Sequence, residues 1–162
     1  MQALRCFVGA ILVVAGLSWL TLVPSTAQEI PFTVTVANVS TVTFDKPSVS
    51  IADAKPGTLT KLDNAFTITA VRNMSGPWRI KTNSASDSFK RDGQATTLLS
   101  SALKWTTPTV TDPQGFSLIP AEVFTGNGET TGTPQTISLQ FDCPTGVVPG
   151  EYRLDLHFFM EG

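Results

Sequence analysis

The sequence has 162 residues, with 13 acidic residues against 11 Lys and Arg, a net charge of −2 and only 15% charged residues. A weakly acidic chain gains little from counterion release, and its nearest basic pair, Lys90-Arg91, is followed at once by Asp92, so no nucleic-acid partner is expected. Charge well below the usual quarter, with threonine and serine filling much of the gap, suits half-exposed strands.

The chain opens with Arg5, an uncharged apolar run over residues 6–23 and then Pro24-Ser25-Thr26-Ala27. That is the pattern of a signal peptide over residues 1–27, cut after Ala27. The competing reading is an uncleaved anchor, because the run exceeds the usual apolar region of about 7 to 15 residues yet falls slightly short of the roughly 20 that span a bilayer. Either way the domain is expected outside the cell or at its surface. Cys6 has no apolar segment ahead of it, so no lipid is expected. After cleavage about 135 residues remain, 28–162, enough for one domain with a sizeable core and no contact with membrane. Loss of Arg5 takes the charge from −2 to −3.

The mature chain is dominated by period two. Ile30, Phe32, Val34 and Val36 alternate with Pro31, Thr33 and Thr35, which predicts a strand with one apolar face. The alternation slips at Asn38 and Val39 and resumes at Val42 and Phe44, predicting a bulge or break near residue 38. Further strands are expected over residues 48–52, 66–71, 78–82, 103–107, 116–118, 122–124, 136–142 and 151–160. In the last, Tyr152, Leu154, Leu156, Phe158 and Met160 share one face, and Arg153, Asp155 and His157 share the other, a candidate surface contact. Turns are signalled at Lys55-Pro56-Gly57, Ser75-Gly76-Pro77, Asp92-Gly93, Asp112-Pro113-Gln114-Gly115, Gly126-Asn127-Gly128 and Val148-Pro149-Gly150. Helix is limited to a single possible turn within residues 97–104. Short strands with frequent turns predict an all-β, immunoglobulin-like two-sheet antiparallel sandwich, with a small barrel as the alternative.

Catalytic groups are sparse. The single histidine, His157, is the one candidate base, and no G-x-S-x-G occurs in the mature chain, so no enzyme is expected. One histidine and one mature cysteine supply no zinc set. Asp87, Asp92, Asp112 and Asp142 could converge on calcium, but no D-x-D-x-D loop is present, and aspartates at turns are explained by capping. No cofactor or metal is therefore expected. Cys143 continues the alternation of Ile137, Leu139 and Phe141 and reads as a small core residue rather than a bridging thiol. Trp78 and Trp105 read as core pins between sheets.

Gly76-Pro77-Trp78-Arg79-Ile80-Lys81-Thr82 leads into Asp87-Ser88-Phe89, with Leu103-Lys104-Trp105 beyond it and Pro149-Gly150-Glu151-Tyr152 opening the last strand. Over roughly residues 66–160 this resembles WxL-type domains of bacterial cell surfaces, with Ile80 in place of the motif's leucine and Leu156-His157-Phe158 at the second motif's position. The resemblance implies a module held noncovalently on cell-wall polymer or a surface protein. The alternative reading is a self-assembling, fimbria-like subunit of a pilus or matrix filament, a homo-oligomer in which Ile30, Phe32, Val34 and Val36 complete a neighbour's sheet; against donation stands pairing of that strand within its own domain.

Overall fold

Alternating apolar residues place one face of each strand in a common interior. The computed structural model describes residues 33–162; the expected leader over residues 1–27, and Ile30 and Phe32, lie outside the described residues. Val36–Gly162 forms one unit. Its strands are β1 (Ser40–Phe44), β2 (Leu59–Arg72), β3 (Pro77–Ser84), β4 (Ser88–Arg91), β5 (Gln94–Leu99), β6 (Leu103–Thr106), β7 (Gln114–Gly115), β8 (Ala121–Asn127), β9 (Thr130–Asp142) and β10 (Leu156–Glu161). A five-stranded sheet runs β1-β2-β9-β6-β7, a three-stranded sheet runs β10-β3-β8, and β4-β5 form a hairpin. Every ladder is antiparallel, and the sheets pack on one another, so the chain is an all-β sandwich.

The core takes Phe66, Ile68 and Ala70 from β2 and Ile137, Leu139 and Phe141 from β9. Trp78 and Ile80 from β3, Val123 and Phe124 from β8, and Trp105 from β6 complete it. Each large side chain withdrawn from water in this way contributes about 1.5–3 kcal/mol before entropy is counted. Two buried hydroxyls are bonded across elements: Thr82 Oγ1 donates to His157 O at 2.9 Å, tying β3 to β10, and Ser100 Oγ donates to Phe116 O at 3.1 Å; the buried Ser84 Oγ has no partner.

Several expected elements shift. Residues 48–52 carry no strand; Ile51 packs against the core from a loop instead. Residues 116–118 leave the ladder that β7 makes with β6. Phe116 is fully buried, and its amide reaches back to Leu103 O at 3.0 Å. β2 begins at Leu59 rather than 66: Leu59 to Leu62 pair with Asp142 to Leu139 of β9, and the pairing is then interrupted between Leu62 and Phe66. There Asn64 adopts φ +51° and its amide bonds Ser138 Oγ at 3.1 Å. The last strand begins at Leu156 rather than 151: Arg153 first exchanges two 2.8 Å backbone bonds with Lys90 of β4. The β4-β5 hairpin was not expected, though its turn was. Asp92 at φ +52° and Gly93 at φ +78° supply the two left-handed residues that a two-residue hairpin favours.

Residues 33–39 carry no strand, so the strand expected over residues 30–36 has no counterpart in its described part. Val34 is 68% exposed and Val36 74%.

Candidate functional site: an open seam between two sheet edges

The site starts from the turn between β2 and β3. Arg72, buried at the end of β2, donates from Nη1 to Pro77 O and from Nη2 to Ser75 O, each at 3.2 Å, fixing how the chain passes from one sheet to the other. β1 pairs with β2 and β10 pairs with β3, and each is the last strand of its sheet, so both edges fall on the same side of the sandwich. Phe44 of β1, Phe66 of β2 and Phe158 of β10 meet there. Phe158 stands edge-on to Phe44 at 5.6 Å and to Phe66 at 5.7 Å between ring centroids. One turn of pleat further on, Ser40 Oγ lies 2.9 Å from Met160 Sδ.

Side chains thus bridge the seam, but no backbone ladder among the described residues closes it. The apolar row along it is incompletely covered: Val42, Leu154, Leu156, Phe158 and Met160 are half-buried, and Phe44 is 46% exposed. Protein edges are commonly blunted by charge, proline or a bulge. β1, with the sequence Ser-Thr-Val-Thr-Phe, has none of these, and Glu161 is the single charge in β10. Unused amides and carbonyls beside an apolar row are what an extended peptide needs in order to add as a strand.

The chain enters β1 through a fixed point. The Asn73 amide donates to Val39 O at 3.2 Å, its side-chain Oδ1 accepts from the Val39 amide at 2.6 Å, and its Nδ2 donates to Ala37 O at 2.8 Å. These bonds carry the line of β1 back through residues 37–39.

The other residues singled out in the sequence are dispersed. Arg153 and Asp155 lie ahead of β10 and pair with each other, Nε to Oδ1, at 3.0 Å in an exposed position. His157 is in β10, opposite Asn83 of β3 and exposed. Trp78 and Trp105 are buried, as is Cys143. The outer face of the three-stranded sheet carries an ion-pair cluster: Glu161 Oε2 lies 2.7 Å from Lys81 Nζ and 3.5 Å from Arg79 Nε. The Lys81 hydrogen bond holds the Glu161 carboxyl below the usual glutamate range, against an opposing desolvation effect and helped by the Lys81 and Arg79 charges. An open depression of about 630 Å³ is lined by Thr97, Leu99, Ser101, Lys104, Asp142 and Pro144; its one ion pair joins Lys104 Nζ and Asp142 Oδ2 at 3.9 Å. No group of three or more His, Cys, Asp or Glu side chains converges among the described residues.

Sequence reasoning missed the seam. Alternation placed Phe44 and Phe158 each in the apolar row of its own strand, but their meeting depends on which strands end each sheet, and that is set by long-range pairing. The fold defines the class, an antiparallel all-β sandwich. No protein-family model matches this chain, and no curated protein matches it.

Proposed function

We propose that this chain is an exported, non-enzymatic module of the cell surface that holds its partner by taking an extended segment onto the seam between β1 and β10. The observation that carries this reading is the Phe44–Phe66–Phe158 cluster, with Phe44 exposed and Phe158 half-buried, between two sheet edges with no ladder between them among the described residues. Export rests on the leader pattern of residues 1–27, and the non-enzymatic reading on the scarcity of catalytic groups in the sequence. Retention on cell-wall polymer, the partner implied by the WxL-like motifs, is the second reading. It would use the polar outer face of β3 and β10, where Arg79, Lys81, His157 and Glu161 stand.

Hydrogen–deuterium exchange on the mature chain separates the two. Slowed exchange confined to residues 40–44 and 154–161, on addition of a ten-residue peptide of alternating valine and threonine, supports the seam. Retention on purified wall polymer with no protection at those residues transfers the binding role to the outer face. Absence of protection with either ligand overturns the proposed seam.

A further inference from the structure

We infer that the segment which occupies the seam is residues 28–36 of a second copy of this chain, so that the protein assembles head to tail; this rests on the seam being a strand acceptor, as proposed above. The apolar rows match in number and spacing. Ile30, Phe32, Val34 and Val36 repeat every second residue, and so do Leu154, Leu156, Phe158 and Met160. An incoming strand antiparallel to β10 sets Ile30 opposite Met160, Phe32 opposite Phe158, Val34 opposite Leu156 and Val36 opposite Leu154, with all eight side chains on the interior face. A one-residue slip would turn the whole donor row toward solvent, which fixes the register. The described part of the donor is available: Val34 and Val36 are 68% and 74% exposed, and residues 33–36 form no strand.

The Asn73 clamp favours a neighbour's seam over the chain's own. For residues 28–36 to lie beside β1 or β10 of the same domain, the chain must reverse at residues 37–39. Those residues are held in line with β1 by the three bonds from Asn73 to Ala37 and Val39. Insertion into the same domain breaks them; insertion into a neighbour leaves them intact. Nine extended residues reach about 30 Å, ample to cross to an adjoining molecule. Donor segment and acceptor seam are different surfaces, so the contact is heterologous and propagates as a filament unless the rotation closes a ring.

The experiment combines light scattering and negative-stain microscopy on the mature chain, residues 28–162, with exchange measurements. The expected result is mass that grows with concentration and survives reductant. A chain carrying Phe32→Asp and Val34→Asp is expected to fall to the mass of one chain while keeping the parent's circular dichroism and melting temperature. A synthetic peptide of residues 28–37 added to that variant is expected to slow exchange at residues 154–161 at least tenfold, and the same peptide with both aspartates is expected to have no effect. A parent chain that stays monomeric at every concentration, or a doubly substituted chain that unfolds because the segment belongs to its own core, overturns donation. If the valine–threonine peptide protects residues 154–161 and the 28–37 peptide does not, donation fails and the seam stands. If neither peptide protects them, both fail.

Discussion

Trp78 faces Gly126 across the β3-β8 ladder, and its indole fills the space that any side chain at position 126 would need. A Cβ built on Gly126 overlaps the six-membered ring, while the indole nitrogen donates to Gly128 O at 3.1 Å and the ring stands edge-on to Phe124 at 5.7 Å. A glycine on an edge strand is thus covered by an aromatic partner, an arrangement that also shields the strand. Gly126→Val is expected to lower stability by about 1–3 kcal/mol through overpacking, and Trp78→Ala by about 3–5 kcal/mol through the cavity it leaves. Urea unfolding of both single variants and of Trp78→Ala with Gly126→Val checks the origin: the glycine substitution should cost much less once the ring is gone, and equal costs in both backgrounds would show that the ring is not the obstacle.

Cys143 sits just past β9, 4% exposed, its thiol 3.9 Å from Pro144 O, while its backbone exchanges bonds with Gly57 and Thr58. Thiol reagents are expected to label it only as fast as the domain opens, with labelling becoming rapid at the urea midpoint. Cys143→Val should cost less than about 1.5 kcal/mol, because volume is kept and no polar atom is introduced. Rapid labelling of the folded chain would place the thiol at the surface and reopen the bridging role set aside in the sequence.

Legibility followed the distance over which each feature is determined. The inner row of β10 was readable because Leu156, Phe158 and Met160 alternate within six residues, and the Asp92-Gly93 turn because two left-handed positions demand such residues. The start of β2 was hidden: Thr60, Lys61, Asp63 and Asn64 are polar, and the bulge around Asn64 breaks the period at the point where alternation would have revealed the strand. Residues 48–52 failed for the opposite reason. Val49 and Ile51 alternate, yet β2 already has β9 on one side and β1 on the other over Ile68–Arg72, and the loop's apolar residues settle on the core without a ladder. The seam needed two sheets, three phenylalanines from distant segments and the identity of both end strands, none of which a local pattern contains.

Asn73 gives a local test of the chain's entry to β1. Asn73→Ala removes an acceptor for the Val39 amide and a donor to Ala37 O, and is expected to cost about 1 kcal/mol. Exchange at Val39 should accelerate, while amides of β9 and β6 keep their protection. Asn73→Asp retains the acceptor and loses only the donor, so Val39 should stay protected in that variant. If both variants leave Val39 exchange unchanged, the clamp does not hold residues 37–39.

The Glu161 carboxylate ties pH to the outer face of β10. Its hydrogen bond from Lys81 Nζ, at 2.7 Å, is the largest cause of its lowered pKa, ahead of the opposing desolvation effect and the Lys81 and Arg79 charges. A carboxyl with a folded-state pKa below its unfolded value stabilises the fold above the unfolded pKa, and that contribution is lost as pH falls through the folded value. The group is solvent-exposed, so the effect on melting should be slight and should shrink further in high salt. Titration of the Glu161 side chain by NMR reads it directly. The midpoint is expected below that of an ordinary glutamate, and Lys81→Met should return it most of the way. Arg79→Met should move it less, since Arg79 contributes through charge alone and lies farther off, at 3.5 Å. A midpoint indifferent to Lys81→Met would show that the pair does not persist in solution, leaving the outer face of β10 without a fixed charge pattern for a polymer to recognise.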